Sequence, residues 1–170
     1  MDERWVYLVV GLFLLFGLWM YTVNTVKIRQ TALHKERLRA RVKTLSRLGA
    51  RQLAGEWRGL DHVQPGTYPQ FFRFLQDLES MRGGEEYLFV LDTEGRTWAD
   101  GSQPLLQRPG PGRDSNESSP HTKLLQTSLK GGGFVTYDWK HPQHGEIKPK
   151  LSYVMPLGKT PFLLGCGTYT

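Results

Sequence analysis

The sequence predicts an α+β fold: an N-terminal transmembrane helix continuing into a long helix, then a five-stranded antiparallel sheet with short helices. Three observations carry this reading. The chain opens on an uncharged apolar run of about 22 residues, a helical period follows to about residue 57, and from residue 87 the pattern changes to short strands divided by Gly, Pro and Asp turns. At 170 residues, minus a membrane segment, there is room for one modest domain. A hydrophobic content of 39% can fill its core, and a charged content of 22% is too low for a disordered chain.

The apolar run is Trp5 to Val26, WVYLVVGLFLLFGLWMYTVNTV. At about 1.5 Å per residue it reaches roughly 33 Å, enough for a hydrocarbon core of about 30 Å. Trp5 and Tyr7 stand at one end, Trp19 and Tyr21 at the other, as interfacial aromatic belts do. A cleaved signal peptide would have a shorter apolar region and small residues at a cleavage site, which YTVNTVKIRQ lacks. Residues 1–26 are therefore expected to be an uncleaved anchor in a single-pass protein, because Pro156, Lys159 and Pro161 interrupt the only later apolar stretch.

Residues 27–58 read as a basic amphipathic stalk helix. Leu38, Val42, Leu45, Leu48, Leu53 and Trp57 recur at three- to five-residue steps with Arg and Lys between them. The stripe suits a dimerising, signalling stalk and equally a helix packed on its own domain, and the two readings do not exclude each other. Residues 59–170 form the remaining domain. Pro69 opens a second helix, PQFFRFLQDLESM, with Phe71, Phe72, Leu75 and Leu78 as its apolar stripe, and Gly83-Gly84 stops it. Tyr87–Leu91 is a buried strand, Asp92 to Gly95 a turn, and Arg96–Ala99 the hairpin partner. A polar loop spans Asp100–Ser118. Ser119 and Pro120 then cap a short helix that Gly131-Gly132-Gly133 ends. Strands Phe134–Trp139, Lys148–Met155 and Phe162–Tyr169 complete the sheet.

Charge is concentrated in one segment. Lys27–Arg51 holds nine basic residues and one acid, whereas residues 52–170 hold 12 bases and 13 acids. A nucleic-acid binder would carry its basic face on the folded domain, so no nucleic-acid partner is expected, and an anionic-lipid or nucleic-acid binder using the Lys27–Arg51 helix ranks last among the readings. The same basic flank, read by the positive-inside rule alone, places the domain in the cytoplasm.

His141 and His144 lack further ligands for a metal, and Asp92-Thr93-Glu94-Gly95 lacks the ligand positions of a calcium loop. The glycine run precedes a strand, so it is no phosphate loop, and no nucleophile motif is present. No metal, cofactor or enzymatic activity is expected. The single cysteine, Cys166, excludes a disulfide framework and reads as a small buried hydrophobe.

Residues 131–170 resemble the C-terminal half of single Cache domains, the extracytoplasmic sensing domains of bacterial chemoreceptors and sensor kinases. The likeness lies in the glycine run with Phe134, Tyr137 and Trp139, in Pro149-Lys150-Leu151-Ser152-Tyr153-Val154, and in Gly165, Gly167 and Tyr169. Tyr87–Asp92 with Gly95 is similar to the family's first hairpin. The resemblance implies a PAS-like sheet with a pocket on one face for a short carboxylate or another small metabolite. It also implies a periplasmic domain; long domains translocate against a charge bias, so the expected location is the bacterial inner membrane with the domain in the periplasm. The family's hairpin commonly runs into a His-Pro pair, which Thr97 to Ser102 lacks. Without a signalling output module, the chain is expected to act as a homodimer or through a membrane signalling partner. The other reading is a non-sensing interaction protein with a degenerate domain.

Strand alternation sharpens the site. Val135, Tyr137 and Trp139 share one face, and Lys150 shares a face with Ser152, opposite Leu151, Tyr153 and Met155. A lysine in a buried strand needs a partner for its desolvated ammonium. Lys150 is the candidate to pair with a carboxylate, with Tyr137, Trp139, Tyr87 and Tyr153 as the other ligand-binding candidates.

Overall fold

The apolar run is helical without a break: α1 spans Glu3–Gln52 in a computed structural model that describes residues 3–53, 63–64, 67–81, 86–100, 119–141 and 145–169. The chain divides into two units, Met1–Arg37 and Leu38–Thr170. In the first, large apolar side chains such as Leu12, Phe13, Leu14 and Leu18 are at least 60% exposed. Its α1 segment is long and apolar enough to cross a membrane. Within it the Thr22 and Thr25 hydroxyls donate to the carbonyls of Trp19 and Tyr21, both at 2.8 Å, so neither presents an unsatisfied donor.

The second unit begins at Leu38, inside the segment assigned from sequence to a stalk. Here Leu38, Val42, Leu45 and Leu53 are buried in the domain's own core, which realises the second of the two stripe readings for this stretch. Leu48 departs from the expected stripe and is 49% exposed. Gly49 takes the inward position instead, where an added Cβ would meet Leu157 and Phe74. Trp57 lies outside the described residues.

α2 (Pro69–Ser80) begins on its proline, as expected. Its buried face is Phe71, Phe74, Leu75 and Leu78, with Phe72 only partly buried. Phe74 therefore replaces Phe72 in the predicted stripe, because residues 71, 74, 75 and 78 follow the three- and four-residue steps of one helix face.

The sheet follows as β1 (Glu86–Asp92), β2 (Thr97–Asp100), β3 (Gly133–Lys140), β4 (Ile147–Pro156) and β5 (Phe162–Tyr169), with α3 (Pro120–Leu129) between β2 and β3. All pairings are antiparallel, and the spatial order is β2-β1-β5-β4-β3. The last strand thus enters between the first hairpin and the β3–β4 hairpin. Gly95 adopts φ 78° in the β1–β2 turn, the positive value expected of it. α3 is capped as predicted, with Ser119 Oγ accepting from the Thr122 backbone N–H.

A core lies on each face of the sheet. On one face, the C-terminal turns of α1 and the buried side of α2 cover Leu88, Val90, Trp98, Leu151, Tyr153, Phe162, Leu164 and Cys166. Phe71 and Phe162 stack there with ring centroids 4.2 Å apart. Cys166 is fully buried in this core, as expected, and burial pushes its thiol up to about 12. On the other face, Leu124 of α3 packs with Phe89, Leu91, Val135, Tyr137, Val154 and Leu163. This second core is smaller and borders a cavity.

Candidate functional site

The central strands place Lys150 on the smaller core's side of the sheet. Its β4 position pairs with Tyr137 on β3 and Tyr169 on β5, and only 5% of the residue is exposed. Nζ sits among three rings, 5.4 Å from the Tyr87 centroid, 5.6 Å from Phe89 and 5.3 Å from Tyr169. Ammonium–ring distances under about 6 Å are attractive. No carboxylate among the described residues lies within ion-pair distance of it. Burial lowers the Lys150 pKa, and the negative charge of Asp100 partly opposes that shift.

The cavity beside it, of about 30 Å³, is lined by Phe89, Leu91, Thr97, Asp100, His121, Leu124, Tyr137, Trp139 and Lys150. The Tyr137 hydroxyl is hydrogen-bonded to Ser152 Oγ at 3.0 Å, and burial raises its pKa. The phenol therefore stays protonated and available as a neutral hydrogen-bonding group. Trp139 stands edge-on to Tyr137 at 6.0 Å and to His121 at 5.4 Å.

Two glycines of β5 make room for this arrangement. A Cβ on Gly165 would collide with the Phe89 ring, and one on Gly167 would collide with Ser152 Oγ and approach the Lys150 stem. The pocket's aromatic wall and its ammonium therefore lie against bare backbone.

Of the residues singled out from sequence, Lys150, Tyr137 and Trp139 meet at the cavity. Tyr87 stands behind Lys150 as one wall of its ring cage and does not line the cavity. Tyr153 lies apart from them. It is three positions from Lys150 on β4, so the pleat turns it to the opposite face, where it joins the larger core and meets Phe134 at 4.8 Å.

Sequence reasoning missed Phe89, Leu91, Thr97, Asp100, His121 and Leu124. The two β1 residues follow from alternation with Tyr87. Thr97 and Asp100 do not, because simple alternation would put residues of odd and even number on opposite faces. The register between β1 and β2 shifts at Val90/Leu91, pairing Val90 with Ala99 and Leu91 with Thr97. That bulge brings both ends of β2 to the cavity.

The sequence model of the family Single Cache domain 2 matches residues 65–170. The sensor histidine kinase MctS of Rhizobium johnstonii is 32% identical over 91 residues, which cover 51% of this chain and 19% of the kinase. The matched region is thus about a fifth of that relative's length. Among solved structures, the periplasmic sensor domain of a chemotaxis protein is 28% identical, with a TM-score of 0.65 over 82% of this chain and 96% of that one. A Cache chemosensory domain solved for its recognition of carboxylic acids shares the fold at 20% identity and a TM-score of 0.56, over 81% of this chain and 94% of that one.

Proposed function

Because this chain belongs to the single Cache domain 2 family, a family of sensor domains related to chemoreceptor ligand-binding domains, we propose that it is a membrane-anchored small-molecule sensor acting through a signalling partner. The observation that carries the reading is Lys150: a buried ammonium, caged by three rings, facing a small cavity with no ion-pair partner among the described residues. Holding a desolvated charge without a counterion costs several kcal/mol. A ligand carboxylate would supply that counterion. Tyr137 and Trp139 would complete the contact, Tyr137 through its hydroxyl and Trp139 as an apolar wall, with Tyr87 buttressing the ammonium from behind. A cavity this small favours ligands of a few heavy atoms.

The anchor is the apolar part of α1, with the domain on the periplasmic side of a bacterial inner membrane. Support comes from its exposed Leu, Phe and Trp side chains and from the periplasmic relative. Signal transfer runs through α1, whose C-terminal turns belong to the sensor core.

The test is thermal denaturation of the full chain in detergent against short carboxylic acids, amino acids and amines. At least one compound carrying a carboxylate should raise Tm, and Lys150→Met should remove the shift. No stabilisation by any compound, in a protein that melts cooperatively, sinks the sensing reading and favours a purely interacting domain. A periplasm-specific reporter fused to the C-terminus should be active; a cytoplasmic signal would end the extracytoplasmic assignment.

A further inference from the structure

The sensing pocket leaves the basic segment after the apolar run unused. Residues 27–37 hold four bases, Lys27, Arg29, Lys35 and Arg37, against one acid, Glu36, a net charge of +3 (four less one). α1 continues through them without a break, and they belong to the same unit as the apolar run. Lys27, Arg29 and Arg37 are exposed, as are Ile28 and Leu33 between them.

The bases form no stripe. At about 100° per residue, Arg29 lies roughly 200° and Arg37 roughly 280° round the helix from Lys27, with Lys35 at roughly 80°. A helix that met one protein partner would keep an apolar face toward it and its charges on the other. Cations on all sides suit an anionic medium that surrounds the helix. At about 1.5 Å of rise per residue, Lys27 and Arg29 stand within roughly 5 Å of the end of the apolar run, inside a headgroup layer of about 5–8 Å. Arg37 lies roughly 16 Å beyond that end. Helical side chains lean toward the N-terminus, here toward the bilayer, and a Debye length of about 8 Å carries its field further. The other end of the apolar run carries Asp2 and Glu3 beside Arg4, so the attraction is confined to one leaflet.

We propose that residues 27–37 bind the headgroups of anionic phospholipids through Lys27, Arg29 and Arg37, gathering such lipids around the anchor in the leaflet on the domain's side. The proposal rests on the reading of α1 as an anchor and is independent of the cavity. It gives the bases a use on whichever side of the membrane the domain stands. Each headgroup meets about one base, so the preference per lipid is roughly fivefold.

The test uses the tryptophans of the apolar run, Trp5 and Trp19, as reporters in the full chain reconstituted into phosphatidylcholine vesicles. Their quenching by phosphatidylglycerol with brominated acyl chains is compared with quenching by equally brominated phosphatidylcholine. The wild type should favour phosphatidylglycerol at least threefold, and 0.5 M salt should level the two, on the order of a 4 Å screening length. Lys27→Gln/Arg29→Gln/Arg37→Gln should lose the preference. Arg73→Gln/Lys123→Gln/Lys159→Gln, which removes as many exposed bases from the folded domain, should keep it. Equal quenching by the two lipids in the wild type overturns the proposal and leaves the anchor standing. Quenching by neither overturns the anchor reading and this proposal together. A preference that survives the first triple variant, or is lost in the second, overturns the assignment to residues 27–37. The wild-type ratio needs no variant, so a first triple variant that fails to insert does not rescue the idea.

Discussion

Asp92 is fully buried and accepts four hydrogen bonds: from the backbone N–H of Glu94 and Arg96 at 2.9 Å each, from Arg96 Nε at 2.7 Å and from Trp98 Nε1 at 2.8 Å. It closes the β1–β2 turn and ties that turn to the aromatic core. Asp92→Ala leaves those donors without their acceptor, which should cost about 3 kcal/mol in urea denaturation. A loss below about 1 kcal/mol would mean that water replaces the carboxylate.

Lys150 yields a prediction in pH. Its pKa is depressed by burial from the ordinary 10.5, so between the lowered value and 10.5 the folded chain releases a proton that the unfolded chain keeps. Its contribution to stability therefore rises with pH across that window. Cys166 acts in the opposite sense above about pH 9, since its folded thiol retains a proton that the unfolded one loses. Comparing wild type with Lys150→Met at each pH isolates the lysine: the variant's stability advantage at neutral pH should shrink as pH rises. An advantage that stays constant would contradict the burial of the charge. Carboxylate binding should weaken over the same window, because the neutral amine attracts no anion.

At this scale the site was half legible. Lys150 stood out because a charged residue interrupts an apolar strand, and Tyr137 and Trp139 followed by alternation. Asp100 looked like an ordinary loop opener because a bulge, invisible in the residue pattern, turns it inward. Tyr153 was drawn in by its aromaticity against its own parity.

Among the elements, the strands were the most legible, since Gly and Pro turns bound them and alternation names their faces. β5 reads FLLGCGTY, and its glycines suggest a weak strand until the Phe89 ring and the Lys150 stem are seen lying over them. The end of α1 was less legible. Its stripe suits a dimer seam as well as a sheet; packing on the domain shows in the burial of Leu38, Val42, Leu45 and Leu53 and in the approach of Leu157 and Phe74 to Gly49. Polar contacts also hold this stretch, among them an Arg41 bond to the Met81 carbonyl at 3.2 Å. Ser46 Oγ donates to the Pro156 carbonyl at 2.8 Å, and Arg41 pairs with Glu86 at 2.8 Å. The ion pair is partly solvated, so its loss should cost under about 1 kcal/mol. Ser46→Ala removes the donor to a part-buried carbonyl, and thermal denaturation should register a loss of about 1 kcal/mol.

For the molecule as a whole, the sheet separates two tasks. Its larger core holds α2 and the end of α1, and its smaller core, under α3, holds the cavity. Composition alone could not reveal this division, because apolar residues fill both faces and only register sorts them. What composition did reveal is the segregation of charge: residues 52–170 carry one net negative charge, so the domain as a whole has no strong net field of either sign.

β4 belongs to both tasks. Lys150 lies near its middle and Pro156, the acceptor of the Ser46 hydrogen bond, ends it six residues and about 20 Å later. On the proposed reading, a ligand at Lys150 and the helix at Pro156 would hold the same strand, and a closed thermodynamic cycle would make their influence reciprocal. Whatever factor the ligand applies to the hold of β4 on α1, that hold applies to the affinity of the ligand. Ser46→Ala, on the far face of the sheet from the cavity, should therefore change the dissociation constant measured by calorimetry. An unchanged constant would show that the strand carries no message between the two faces.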